Sequence, residues 1–275
     1  MRSDSRQKLI EVRKYGSSGE PVIVLHGGPG AAGYMQPVAK ELGKEFRVYE
    51  PFQRESGKER LTVACHVKDI NDLIKSYCSR QKPAIVGHSW GAMLALAYAA
   101  EYPDNISALA LVGCGTFDKA SRQQMEKVRN ERMTDNIKNH MKRLTEKIEY
   151  TDQRLCAMGQ LMQKIDSYNL ISSGGKIERC DARAHRESWQ DMILLQDTDV
   201  YPAAFAKITV PVIMIHGTHD PHPGKMIETN LKGHIPQLEY FQLEKCGHYP
   251  WLEKAVKDKF YAFLKDWLLL QNKTI

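Results

Sequence analysis

The sequence predicts an α/β fold: a mostly parallel central sheet with helices on both faces, interrupted by an inserted block of helices. Two observations predict it. The strand-like runs are apolar throughout rather than alternating, as in Val22-Ile23-Val24-Leu25 and Ala84-Ile85-Val86, which suits strands buried on both faces. They alternate with helix-like segments up to residue 115 and again after residue 201, and no convincing strand occurs between.

In chain order, Leu9 to Tyr15 is a short mixed run that suits an edge strand, and Gly16-Ser17-Ser18-Gly19 is a turn. Val22 to Leu25 is a buried strand, followed by a glycine-rich segment from Gly27 to Gly33. Phe46 to Tyr49 is the next strand. Val67, Ile70, Leu73, Ile74 and Tyr77 recur at helical spacing. Ala84 to Val86 runs into Gly87-His88-Ser89-Trp90-Gly91 and a helix of small residues from Ala92 to Ala100, and Ile106 to Val112 is a further strand. The segment 116–201 is rich in Met, Lys, Arg, Glu and Gln and reads as several helices. Val210 to His216 and Leu238 to Leu243 are strands, with a helix from Gly224 to Lys232 between them. Val256, Phe260, Phe263, Leu264 and Trp267 share one face of a last helix. The expected division is a core of residues 1–115 and 202–275, with residues 116–201 as a helical cap.

The chain has 275 residues, 42% hydrophobic and 26% charged, which is an ordinary globular composition. No apolar run approaches the ~18 residues of a membrane span, so no membrane partner is expected. The polar first residues lack an apolar segment behind their charges, which implies a cytoplasmic protein. Six cysteines are scattered without a CxxC pair, so free thiols are expected at all six. The net charge is +6, but Lys and Arg are interleaved with Asp and Glu, most visibly from Lys119 to Lys147. That pattern suits a solvated helical surface and no nucleic-acid partner.

Gly87-His88-Ser89-Trp90-Gly91 has the form G-x-S-x-G, between a buried strand and a helix. A serine on that sharp turn needs small neighbours two residues away on each side, and the helix N-terminus favours negative charge beside it. A nucleophilic serine needs a base and an acid that orients the base, and where a G-x-S-x-G serine stands between a strand and a helix these follow in the order Ser, Asp or Glu, His. Ten histidines compete for the role of base. His248 lies in the loop between the last strand and the last helix, where such a sheet presents a base. Asp220, in Ile215-His216-Gly217-Thr218-His219-Asp220, is the candidate acid, with Asp118 as its rival. An oxyanion needs two backbone N–H donors, for which Trp90, after the serine, and Gly28, in His26-Gly27-Gly28-Pro29-Gly30, are the candidates. His216, His219, Asp220 and His222 are dense enough to suggest zinc, but no further ligand group is evident and no metal is expected. Gly28, Gly30 and Gly33 fit the letters of GxGxxG, but Pro29 interrupts the loop and only Glu50 offers a ribose-binding acid. The methionines of the inserted block are read as packing residues.

With these residues in place, the chain resembles the α/β-hydrolase superfamily over nearly its whole length. Its His26-Gly27-Gly28-Pro29-Gly30 and Gly87-His88-Ser89-Trp90-Gly91 are similar to the proline iminopeptidase group, which carries a helical cap at the corresponding place. The resemblance implies hydrolysis of an ester or amide of a small molecule or short peptide through an acyl-enzyme at Ser89, with no cofactor. That group usually has Asp-Gln-Arg-Gly where this chain has Phe52-Gln53-Arg54-Glu55. Its cap acids bind the free amino group of the substrate. Glu178, Asp181, Glu187 and Asp191 are the candidates here, Glu187 foremost because it lies beside Trp189. Three readings follow: a small-molecule esterase, lactonase or thioesterase; an aminopeptidase; or a non-catalytic ligand receptor on the same fold.

Overall fold

The computed structural model describes residues 10–147, 151–171 and 176–271. Leu9, the polar N-terminal stretch and parts of the inserted block lie outside the described residues. In chain order the elements are β1 (Val12–Tyr15), β2 (Pro21–Leu25), β3 (Ala31–Ala32), α1 (Gln36–Leu42), β4 (Arg47–Pro51), α2 (Val63–Tyr77), β5 (Ala84–His88), α3 (Trp90–Glu101) and β6 (Ala108–Val112). Then come α4 (Lys119–Arg132), α5 (Asp135–Lys147), α6 (Asp152–Ile165), β7 (Arg179–Cys180), α7 (Ala182–Asp197), β8 (Val212–Gly217), α8 (Gly224–Lys232), β9 (Leu238–Leu243) and α9 (Lys257–Gln271). The main sheet runs β1-β4-β2-β5-β6-β8-β9. Only the edge strand β1 is antiparallel.

The apolar strands bury both faces because successive side chains point to opposite sides. Ile23, Leu25, Ile85, Leu109 and Met214 pack towards α2 and α3. Val22, Val24, Val86, Ala110 and Ile213 pack towards α1 and α9. Each such large side chain contributes roughly 1.5–3 kcal/mol by leaving water. Helix α3 is buried from Trp90 to Ala100, so its surface is small and apolar all round. Parallel strands put their carboxyl ends on one edge, and β2, β5, β6 and β8 deliver His26, Ser89, Gly113 and Asp220 there.

Several expectations are corrected. Cys156 and Cys180 form a disulfide, with Cα atoms 6.0 Å apart, that ties α6 to β7, while Cys65, Cys78, Cys114 and Cys246 are free. The two cysteines meet through the packing of α6 against β7, which spacing in the sequence does not reveal. The inserted block does contain a strand, the two-residue β7, which pairs antiparallel with β3 and is too short to leave a pattern. Helix α1 was not anticipated, since it is seven residues long and begins with proline in its first turn. In α9, Phe263 is only partly buried and stacks on Phe241 at 3.6 Å, while Tyr261 and Leu268 are buried. No helix among the described residues is long and apolar enough to cross a membrane.

Candidate active site

Strand β5 ends at His88 and α3 starts at Trp90, so Ser89 alone makes the turn, with φ +54° and ψ −120°. Such a φ strains a residue with a side chain by about 1–3 kcal/mol. The turn is held by its surroundings: the Ser89 amide donates to Val112 O at 2.9 Å, and Ser89 O accepts from Ala92 N at 3.0 Å. A Cβ at Gly87 would stand 2.4 Å from Gly91 O, and one at Gly91 would stand 2.4 Å from Leu25 O. Those backbone contacts are the physical cause of the two flanking glycines.

His248 is buried in the loop after β9, and its Nδ1 lies 2.7 Å from Asp220 Oδ2. A carboxylate only accepts, so Nδ1–H donates and Nε2 is left as the acceptor that a general base needs. Gly113, at φ +52°, leaves room for this ring: a Cβ there would meet His248 Nδ1 at 3.0 Å. Burial alone would raise the Asp220 carboxyl, but His248, His222 and His216 around it outweigh burial and hold it well below the usual carboxylate range. Asp118 is not part of the group, because it caps α4 by accepting from Ser121 N at 2.8 Å. The dense histidine run divides: His216 and His222 face Asp220, whereas His219 turns onto Tyr168, ring to ring at 5.3 Å. Asp220, His222 and His248 offer an oxygen and two nitrogens within 4.8 Å of one another, the spacing of a metal cluster. Both Nδ1 atoms lie at hydrogen-bond distance from Asp220, so donation to the carboxylate accounts for the cluster without a cation.

The glycine loop lies against the serine, since a Cβ at Gly27 would meet Ser89 Cβ at 2.7 Å. The Gly27 amide is engaged, donating to Tyr34 Oη at 2.6 Å. Gly28, at φ +48°, follows with an amide that meets no protein acceptor among the described residues. Trp90 is the first residue of α3, a position whose N–H has no partner within the helix. The Trp90 and Gly28 amides are thus the candidate donors beside the serine turn for an oxyanion. Gln53 fixes the loop against that turn: its Nε2 donates to His26 O at 2.7 Å and its Oε1 accepts from Trp90 Nε1 at 3.0 Å. His88 ties the loop to His248. Its Nε2 donates to His248 O at 2.9 Å, so its Nδ1 accepts from Tyr34 Oη at 2.8 Å. Sequence reasoning missed the roles of Tyr34, Gln53 and His88. The only signal was the match of Gln53 to one position of the iminopeptidase motif.

The inserted helices are fastened to these loops. Glu253, fully buried, accepts from Tyr168 N at 2.7 Å, Gly247 N at 2.9 Å and Asn169 N at 2.6 Å. The His248 amide donates to Asp166 O at 2.9 Å, and Arg129 of α4 grips the Asp166 carboxylate at 2.5 and 2.9 Å. Replacing Glu253 by glutamine sets an NH2 group against backbone donors. We expect a loss of about 2–3 kcal/mol in thermal stability and a lower turnover, because the His248 loop loosens. Calorimetry and initial rates measure both, and an unchanged melting temperature would refute this role for Glu253. On α7, Trp189 packs on Trp90 at 5.3 Å and His185 Nδ1 lies 2.8 Å from Pro29 O.

Glu187, the foremost candidate for a substrate amine, is engaged within the protein. Its carboxylate accepts from Leu61 N at 2.9 Å and from Arg183 Nε at 2.6 Å, and these donors lower its pKa. It tethers α7 to the start of α2. The other three candidate acids are engaged as well. Asp181 accepts from Ser56 N at 2.7 Å, Asp191 accepts from Val63 N at 2.7 Å, and Glu178 pairs with Arg13.

Residues 20–255 match the family model described as alpha/beta hydrolase fold. The chain belongs to this family. Among curated α/β-hydrolase relatives, a proline iminopeptidase of Lactobacillus crispatus (strain ST1) is 27% identical, with 90% of this chain and 89% of the relative covered. A thermophilic esterase from Thermogutta terrifontis superposes with a TM-score of 0.64 at 20% identity, covering 95% of this chain and 93% of the esterase. Proline iminopeptidase of Mycobacterium smegmatis superposes with a TM-score of 0.59 at 19% identity, covering 94% of each chain. Both structural likenesses speak to the α/β-hydrolase fold alone, since neither reaches 25% identity.

Proposed function

We propose that the protein hydrolyses a carboxylic ester of a small molecule through an acyl-enzyme on Ser89. The observation that carries the proposal is the 2.7 Å bond between His248 Nδ1 and Asp220 Oδ2, on loops tied by His88 to the strained turn at Ser89. His248 Nε2 takes the Oγ proton as Ser89 attacks the carbonyl, and Asp220 holds the imidazole in the correct tautomer and stabilises the imidazolium. The Trp90 and Gly28 amides receive the oxyanion. His248 then gives its proton to the leaving alkoxide, and finally activates the water that releases the acid. Residues 116–201 act as a cap that shapes the pocket and excludes water.

The second reading, an aminopeptidase, is favoured by the names of the relatives. It needs an acid to hold the substrate's ammonium group. Against it, Glu178, Asp181, Glu187 and Asp191 each already accept from a protein donor in a bond that joins the helical block to the core, so none of the four is an unengaged carboxylate. The test compares p-nitrophenyl acetate and butyrate with the p-nitroanilides of proline and alanine. We expect ester turnover that rises through the pH range in which histidines titrate, roughly 6–7, and little anilide cleavage. Anilide cleavage that depends on a free amine would replace this reading with the second. No turnover of any of them would favour a ligand receptor.

A further inference from the structure

Asp220 carries two imidazoles. Its Oδ2 accepts from His248 Nδ1 and its Oδ1 accepts from His222 Nδ1, both at 2.7 Å. The rings lie face to face, 4.4 Å apart and 17° from parallel. A serine hydrolase needs only one of them. His222 is buried, and nothing in its own loop requires its side chain: its backbone N–H already caps Asp220 Oδ1 at 2.9 Å, and its carbonyl is held by His216 Nε2 at 2.9 Å.

We propose that His222 is a positioning residue for the reaction, fixing the Asp220 carboxylate and the plane of the His248 ring, and thereby setting the acidic limb of the pH–rate profile. The proposal rests on the reading of Ser89, His248 and Asp220 given above. Two physical effects carry it. With two donors on Oδ1, the carboxylate cannot turn, so Oδ2 stays on His248 Nδ1. The His222 N–H also points the positive end of its dipole at the carboxylate, which weakens the carboxylate's hold on a proton at His248. Burial keeps His222 neutral, with its pKa lowered to about 4, so this donor is constant over the working pH range. The parallel ring is a wall against one face of His248, which limits the ring's rotation on that side. Other charged or titratable groups face the cluster: His216 from β8, His88 from the end of β5, Arg129 of α4 with Asp166, Tyr249 beside His248, and Cys114 after β6. All of them stay in place when position 222 alone is changed.

Two substitutions separate the effects. His222→Phe keeps a flat ring and removes the donor. His222→Asn keeps a donor near the place of Nδ1 and removes the wall. The readouts are hydrolysis of p-nitrophenyl butyrate and the rate at which a fluorophosphonate probe labels Ser89, each followed from acid to alkaline pH. In His222→Phe we expect the acidic limb of both profiles to move up by about half a pH unit or more, with KM unchanged. In His222→Asn the limb returns to its wild-type position while kcat stays reduced, which a merely structural loss would not produce. His222→Leu carries the same expectation as His222→Phe if the larger ring prevents folding. A donor-free variant whose limb superimposes on wild type overturns the proposal, as does an equal displacement in the donor-free and asparagine variants. Wild type that is neither labelled nor active on the ester, or a Ser89→Ala variant that keeps full activity, overturns the hydrolase reading and this proposal with it. Normal wild-type labelling with unmoved variants overturns this proposal alone.

Discussion

Replacing Ser89 by alanine is expected to lower kcat/KM for p-nitrophenyl butyrate by about 10⁴-fold or more, while binding of the intact ester changes little. In the proposed reaction the hydroxyl forms the covalent bond, so its loss would leave only the oxyanion donors and substrate binding. Asp220→Asn is expected to cost about as much by a different route, since an amide can present its NH2 to His248 and select the wrong tautomer. The turn adds a second readout that no surface serine has. At φ +54° an alanine retains the strain, whereas a glycine relieves it. Ser89→Gly should therefore be as inactive as Ser89→Ala and more stable than wild type by about 1 kcal/mol. Calorimetry of the three proteins measures this order. A glycine variant that melts with or below the alanine variant would show that the turn stores no strain, and retained ester turnover in either would remove Ser89 from the reaction.

What was legible in the sequence follows from the range of the forces involved. The glycines around Ser89 announce themselves because the clash they avoid is with backbone four residues away or on the neighbouring strand. The buried strands were visible because both faces are covered, which removes alternation. Asp220 and His248 were located by chain order and loop position, not by any local pattern around them. The residues that hold those loops were hidden, because each acts on a distant segment. Glu253 reaches back to Tyr168 and Asn169, Gln53 bridges His26 and Trp90, and Tyr34 bonds His88. Their chemistry is ordinary and their partners are set by the fold. Glu187 shows the same limit from the other side. An acid beside an aromatic suggested a ligand contact, but on α7 its carboxylate reaches Leu61 and Arg183. His222 stood in plain view within a run of histidines, and only the fold separates it from His219, which leaves the cluster.

The buried histidines of this site, and His66, which packs edge-on against Trp90 with its Nε2 2.8 Å from Ser188 Oγ, should also make the fold sensitive to acid. Burial lowers His26 and His222 to about 4 and His66 to about 3, from an ordinary value near 6.5. A histidine depressed in the fold contributes fully above its unfolded value and loses that contribution as pH falls, because the unfolded chain then binds protons that the fold refuses. At pH 5 relative to pH 8 each of the three weakens the fold by about 2 kcal/mol, about 6 kcal/mol together. One group opposes them. Burial raises Glu50 to about 7, so the fold takes up its proton before the unfolded chain does. Stability from Glu50 therefore rises as pH falls from about 7 towards about 4.5, which returns about 2–3 kcal/mol at pH 5. For these four groups the difference is a loss of about 3 kcal/mol, which for a chain of this size lowers the melting temperature by about 6–12 °C, and His88, which burial also holds well below its ordinary range, adds to the loss. Calorimetry at the two pH values measures it, and a melting temperature higher at pH 5 than at pH 8 would show that these histidines protonate in the fold as they do in water, leaving the Glu50 gain unopposed. Glu50→Gln tests the sign, because a side chain neutral at both pH values leaves the histidine loss unopposed and should nearly double the difference. The acidic limb of the rate profile falls in the same pH range and must be kept separate from unfolding. Protonation of the proposed base reverses at once on return to pH 8, whereas protein that unfolded during incubation must refold, so initial rates before and after the return divide the two.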